Sequence, residues 1–396
     1  HHIICDGESV GIFFSELDKI YRGAKLPELK FQYKNFSAWE QKQTFQEQEE
    51  YWLNEFSGDL NCLELRTDYV RPAWQSFKGH SLEFSVERDT VERIRTFCSQ
   101  MHVTEFMLFM SVFSILLQKY TGQEDIVIGS PMLGRTLPDS QNLIGMFVNT
   151  VAIRNDINKN YTFKEVLMHT AEKCLLAYDN QNYQFDDLVR KLSAHKDNSR
   201  NPLFDVMFGV QNGGTCIVKI GNANLVPTKI EGNVSKFDIT LMIDSEEDGY
   251  ILYWEYNSDI FRGSTIRRMA EHYITLLNNA IDHYAETIDD IEYISKVECN
   301  ELIHMFENED KELYSDKILI TEFEKCVEKY PNNIALEYQD KTLTYCELNQ
   351  LANNIAAALK KEGANLQEAY DALFNGYKKL IPRLHISVCI RRFIVR

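Results

Sequence analysis

The stretch His1-His2-Ile3-Ile4-Cys5-Asp6-Gly7 sets two histidines, two aliphatic residues and a thiol ahead of an Asp-Gly turn signal. After it, Val10, Phe13, Phe14, Leu17 and Tyr21 recur at i, i+3, i+4, i+7 and i+11, the apolar face of a helix. Asp6, Glu8 and Ser9 stand where a helix start needs acceptors for its unpaired N–H groups. The pattern predicts a strand, a tight turn and a helix. Neighbouring side chains on a strand face opposite ways, so His1 and His2 are expected on different faces, one toward a cleft. Asp6 falls on the His2 side by the same count and is expected to be buried beside a charged partner. Gly7 is expected to supply the freedom of the turn. A histidine pair alone is more often filler than chemistry, so its neighbours decide its meaning.

Further along, 82–86 alternates as a strand, and 91–101 and 104–120 read as helices, the second apolar all round and therefore buried. Short apolar runs at 126–128, 147–151, 204–210, 237–243 and 251–256 read as strands, and 162–179 and 260–284 as helices. Arg267 and Arg268 read as a solvated face of the last. Interleaved strands and helices of this kind predict an α/β fold. The aromatic-rich stretch 31–57 reads as packing, with Trp52 and Phe56 at helical spacing, and 60–72 as an irregular crossing segment.

At 396 residues the chain is long enough for two domains, and 44% hydrophobic content supports a core. A net charge of −17 argues against nucleic-acid phosphate or an anionic membrane as partner. The apolar runs all fall well short of the length needed to span a bilayer. Nine cysteines without zinc-site spacing read as reduced, mostly buried thiols of a cytoplasmic protein. The chain shows no Gly-x-Ser-x-Gly elbow, phosphate-binding loop or His-Glu-x-x-His helix, so nothing supports a serine hydrolase, nucleotide-phosphate enzyme or zinc protease.

Five stretches in order carry a family resemblance. His1 to Gly7 followed by Ser9 resembles the His-His-x-x-x-Asp-Gly signature of condensation domains of non-ribosomal peptide synthetases. Residues 33–39 (YKNFSAW) resemble that family's Y-x-D-F-A-V-W, with Asn35 in place of Asp. Residues 144–154 (IGMFVNTVAIR) are similar to I-G-x-F-V-N-T-x-x-x-R, and 196–203 (KDNSRNPL) to R-D-x-S-R-N-P-L. Residues 180–186 (NQNYQFD) resemble H-Q-D-x-P-F-E with its His, Asp and Pro lost. The resemblance spans 1–297 and implies a two-lobed fold like chloramphenicol acetyltransferase, with the first lobe largely missing from this chain.

The resemblance implies amide-bond formation between an acyl or peptidyl thioester and an aminoacyl amine. Each would ride on the phosphopantetheine arm of an upstream or downstream peptidyl carrier domain, with no cofactor bound to the chain itself. His2 is carried over as the active-site histidine, with His1 beside it and Asp6 and Gly7 shaping the turn. Asp6 is expected to pair with an arginine, Arg135 or Arg154. Asn149 and Ser199 are candidate tunnel-lining residues, with turn or capping roles as the alternative. The chemistry of His2 stays open. A histidine near neutrality can act as a base, yet an α-amine with a pKa of about 8 is already partly uncharged. Positioning, with proton transfer as the tetrahedral intermediate collapses, is the favoured reading. An epimerisation domain shares the histidine motif, and a non-catalytic fragment is the rival from another class.

The pattern changes near 297. Residues 298–315 are polar and acidic and read as a linker. From 316 to 364, and above all at 343–348 (LTYCEL), the chain resembles the opening of an adenylation domain, whose first motif is L-T-Y-x-E-L. Residues 365–396 resemble nothing. They carry a net charge of +4 in a chain of −17, and an altered reading frame or an unusual terminus is expected there.

Overall fold

The computed structural model describes residues 1–58, 60–192, 197–212, 218–225, 232–246, 249–313, 319–338 and 341–361. It divides into two compact units, His1–Ser295 and Lys296–Arg396. The first begins with helices α1 (Gly7–Tyr21), α2 (Tyr33–Glu40) and α3 (Gln46–Glu55). Strand β1 (Gly79–Val86), helices α4 (Arg88–Met101) and α5 (Glu105–Thr121), and strands β2 (Asp125–Met132) and β3 (Asn149–Asp156) follow. Next come α6 (Phe163–Asp179), α7 (Phe185–Leu192), β4 (Val206–Asn212) and a small hairpin, β5 (Val218–Ile220) with β6 (Ala223–Leu225). Strands β7 (Ile239–Ser245) and β8 (Tyr250–Asn257) and helix α8 (Gly263–Asp282) complete the fold.

Six strands form one mixed sheet in the order β1-β8-β7-β4-β2-β3. β4 runs parallel to β2 and β7, and the remaining neighbours are antiparallel. The α/β architecture expected from the sequence is therefore what forms. Helix α5 occupies its centre because it can be buried on every side: Met107 to Leu117 are all buried. Its two serines are neutralised locally, Ser111 and Ser114 donating to the Met107 and Met110 carbonyls at 2.7 and 2.9 Å. Thr104 caps its start through the Met107 amide, and Gly122, at φ 72°, ends it in the left-handed conformation that glycine tolerates. Phe113 meets Phe208 and Trp254 of the sheet at 5.9 Å and Tyr273 of α8 at 6.4 Å, tying α5 to both.

The opening strand does not form. Residues 1–4 make a turn closed by the Ile4 amide on the His1 carbonyl at 3.1 Å, and Ile3 and Ile4 are exposed. A strand needs a partner for its backbone groups, and among the described residues none lies beside this segment. The alternating-face argument for His1 and His2 goes with it. Gly7 is the first helical residue rather than a turn glycine, and a Cβ there would meet open space. The apolar face of α1 is also mostly outward: Val10, Phe13 and Tyr21 are exposed, and the buried residue of the helix is Ser9. Its far end is tied to the small hairpin, where Asp18 accepts from the Gly221 amide at 2.8 Å.

Of the described cysteines only Cys98 and Cys174 are buried, which corrects the expectation of mostly buried thiols. Burial pushes both of these thiols up to about 12. No single helix among the described residues is long and apolar enough to cross a membrane.

The second unit holds α9 (Lys296–Leu313), α10 (Leu319–Lys329), an antiparallel pair β9 (Ile334–Tyr338) and β10 (Lys341–Thr344), and α11 (Tyr345–Lys361). The stretch expected to be a linker is largely helix α9. Its acidic and basic residues are good helix formers, so a polar stretch of this composition can take helical form. The adenylation-like motif is a strand-to-helix junction. Glu347 accepts from the Thr344 amide and hydroxyl at 2.9 Å, and Thr344 accepts from the Glu347 amide at 3.3 Å, a reciprocal cap. Residues 365–396 lie outside the described residues.

One charged cluster ties the crossing segment to the sheet. β4 and β7 are parallel with Val206 opposite Ile239, so Asp205 and Asp238 sit side by side before them, both buried. Arg71 grips Asp238, Arg200 pairs with Asp205, and Asp205 Oδ1 has no partner among the described residues. Burial, reinforced by Asp238 and opposed by Arg200 and Arg71, pushes the Asp205 carboxyl up to about 6. An unfolded aspartate titrates near about 3.9, so the folded chain binds this proton more tightly. The Asp205 contribution to stability should therefore be full below about pH 4 and fade as pH rises through about 6. Urea midpoints should show a stability gain between about pH 7.5 and 5 in the parent that Asp205→Asn lacks. Parallel pH profiles for the two proteins would refute it.

Candidate active site

Helix α1 starts at a polar node. Asp6 is its N-cap, in extended conformation, with its carboxylate accepting from the Ser9 amide at 2.8 Å. The same oxygen accepts from the Ser9 hydroxyl at 2.7 Å and from Arg135 Nη2 at 2.9 Å. The other oxygen accepts from the Phe147 amide at 3.1 Å. Asp6 and Arg135 are 2% and 8% exposed, so this is a buried ion pair. Arg135 also reaches the Ser140 and Leu143 carbonyls at 2.6 and 2.8 Å and lies 4.3 Å over the Phe147 ring. Burial alone would raise the Asp6 carboxyl. The bonds from Ser9, Arg135 and Phe147 outweigh it and hold the group below the usual aspartate value.

The node joins three of the motifs. Ser9 Oγ accepts from the Gly145 amide at 3.0 Å, and the Asp6 amide donates to the Gly145 carbonyl at 3.1 Å. Tyr33 of α2 donates its hydroxyl to the Met146 carbonyl at 2.7 Å and stands edge-on to Phe147 at 5.1 Å. A Cβ on Gly145 would fall 2.1 Å from the Tyr33 ring, so glycine is required there by close approach. Asn35, the departure from the family's aspartate, caps α2 by accepting from the Gln32 amide at 3.0 Å. An amide oxygen serves that purpose as a carboxylate would.

Of the two arginines offered as partners of Asp6, Arg135 makes the pair. Arg154 lies elsewhere, gripping Asp125 through Nε and Nη2 at 2.8 Å each and donating to the Glu55 carbonyl at 3.0 Å. Asn149 is buried with its side chain committed to the backbone. It donates to the Gln181 and Tyr183 carbonyls at 2.7 and 2.8 Å and accepts from the Thr150 amide at 2.8 Å. Those carbonyls belong to the degenerate motif at 180–186, where main-chain acceptors make side-chain identity less binding. Ser199 is held in a turn, its amide and hydroxyl donating to Asp197 at 2.8 and 2.7 Å. These bonds give Ser199 a place in a turn and tie Asn149 to the main chain of residues 181 and 183.

His1 and His2 are exposed. His1 Nδ1 accepts from the Ile3 amide at 3.2 Å, and His2 makes no hydrogen bond among the described residues. Within four residues the structure thus seals Asp6 and presents His2. The sequence reading missed the Tyr33 hydroxyl and Gly145. The packed aromatic at the head of the second motif and the lone glycine of the third were the available signals.

Asp6→Ala leaves Arg135 buried without its counter-ion and should cost about 3–5 kcal/mol. Removing both charges in Asp6→Ala/Arg135→Leu should recover part of that loss. Because the folded Asp6 carboxyl lies below the unfolded value of about 3.9, its contribution is present above that pH. It is lost as pH falls further, through the folded value, opposite in sign to Asp205. Denaturant midpoints across pH decide it, and equal stability of Asp6→Ala and parent at neutral pH would remove the node from the fold's supports.

A family profile described as Condensation domain matches residues 1–303. Gramicidin S synthase 2 of Aneurinibacillus migulanus is 38% identical over 368 residues, which cover 92% of this chain and 8% of that protein. Bacitracin synthase 3 of Bacillus licheniformis is 38% identical over 372 residues, 93% of this chain and 6% of that protein. The chain therefore spans less than a tenth of either relative. Among solved structures, a four-domain nonribosomal peptide synthetase bound to AMP and glycine superposes with a TM-score of 0.69 at 22% identity, over 92% of this chain and 29% of that one. The X-domain from teicoplanin biosynthesis gives 0.66 at 21% identity, covering 74% and 70%. These two likenesses concern the fold. With the profile and the sequence relatives beside the His-His-x-x-x-Asp-Gly node, this chain belongs to the condensation-domain family of non-ribosomal peptide synthetases.

Proposed function

We propose that this chain forms amide bonds between an acyl or peptidyl thioester and an aminoacyl amine. Each substrate is held on the phosphopantetheine arm of a separate carrier domain, one upstream and one downstream. The amine nitrogen attacks the thioester carbonyl, the C–N bond forms, and collapse of the tetrahedral intermediate breaks the C–S bond. The amine gives up a proton and the departing carrier sulfur leaves as a thiol. His2 contacts the reacting amine and moves that proton as the intermediate collapses. Asp6 and Arg135 keep the His2 turn in place.

The observation that carries this reading is the contrast across one short stretch, a sealed Asp6 at the start of α1 four residues after an exposed His2. An imidazole can exchange protons near neutrality, and a fixed turn lowers the entropy cost of aligning it with the amine. The Leu343–Leu348 stretch supports an adenylation domain beginning in cis, since its Thr344–Glu347 cap gives that motif a local structural purpose.

The test supplies the chain with a thioester-loaded donor carrier and an aminoacyl-loaded acceptor carrier and follows the acceptor by mass spectrometry. His2→Ala should lower product formation by about 10²–10⁴-fold with an unchanged melting curve, because the side chain is exposed. A variant that condenses at the parent rate would sink the assignment. An epimerase would instead wash deuterium from solvent into the α-position of a carrier-bound residue without making an amide, and that result would replace the condensation reading.

A further inference from the structure

We infer that Tyr33 is a positioning residue for His2, acting through the main chain of residues 145–147; the inference rests on the condensation reading above. Tyr33 belongs to α2, a separate element from the turn that carries His2. Its hydroxyl donates to the Met146 carbonyl at 2.7 Å. Its ring fills the space that a side chain at Gly145 would need, 2.1 Å from where a Cβ would stand. It also meets Phe147 edge-on at 5.1 Å, while Phe36, on the same helix, meets that ring at 4.7 Å.

The peptide so held is the one that fixes the start of α1, directly after the turn that carries His2. The Gly145 carbonyl accepts from the Asp6 amide at 3.1 Å. The Gly145 amide donates to Ser9 at 3.0 Å, and the Phe147 amide donates to Asp6 at 3.1 Å. Four consecutive contacts therefore alternate along one short strip: Ser9 and Asp6 on Gly145, Tyr33 on Met146, and Asp6 on Phe147. Asp6 and Ser9 cannot shift without moving residues 145–147, and Tyr33 is what pins Met146 between them. A tyrosine that only filled space would need its ring, whereas positioning also needs the hydroxyl on the Met146 carbonyl.

Tyr33→Phe separates the two, keeping the ring and deleting the hydrogen bond. Hydrogen exchange of the Asp6 and Phe147 amides should speed up about five- to tenfold, the usual worth of one hydrogen bond, with the α5 amides unchanged. The His2 imidazole resonances should shift. In the carrier assay, kcat should fall about tenfold with KM for both loaded carriers unchanged, and in a His2→Ala background the same change should have no further effect. Unchanged Asp6 exchange with unmoved His2 resonances would show that Tyr33 only packs and would overturn the inference. A parent chain that makes no amide would count against the condensation reading alone, since the exchange and resonance measurements judge Tyr33 without turnover.

Discussion

The buried Asp6–Arg135 pair is the interaction on which the candidate site depends. Taking two charges out of water is expensive, and a buried pair often gains little over well-packed apolar residues. Its value here lies in direction. Arg135 has a planar fork that reaches Asp6, Ser9 and the carbonyls of Ser140 and Leu143 at once. A helix start, a loop and the approach to β3 are thereby held to one another by groups that tolerate only one geometry.

That arrangement explains why the motifs occur together. The His-His-x-x-x-Asp-Gly stretch provides the cap, the aromatic stretch at 33–39 provides Tyr33 and Phe36, and 144–150 provides the glycine, the stacked Phe147 and the anchoring Asn149. Each is a short local pattern with its partner far away in the chain. Where the partner atom belongs to the backbone, as with the Gln181 and Tyr183 carbonyls that receive Asn149, the bond itself does not depend on which side chains that stretch carries. The losses at 180–186 fall in such a place. Asn35 has changed from the family's aspartate and still caps its helix.

The two buried aspartate clusters differ in what surrounds them. Asp6 accepts four hydrogen bonds and stays below the ordinary aspartate value. Asp205 is pressed beside Asp238 and has an oxygen without a partner among the described residues, so burial wins and its carboxyl rises. Burial does not by itself fix the sign of a shift; the donors and charges facing the carboxylate decide whether it is overcome.

Period and punctuation determined most of the first unit's elements: the alternating β1, the all-apolar α5, the compact β2 and the long α8 were legible because their burial patterns are local. The family was legible too, from five short stretches in order. That residues 1–4 form a turn and not a strand was not legible, since a strand is defined by a neighbour, and hydrophobic residues in a row carry no information about whether one exists. The choice of Arg135 over Arg154, the role of the Tyr33 hydroxyl and the anchoring of Asn149 likewise waited on tertiary structure. Each depends on atoms more than thirty residues apart in the chain being brought within hydrogen-bond reach, which only the packed fold decides.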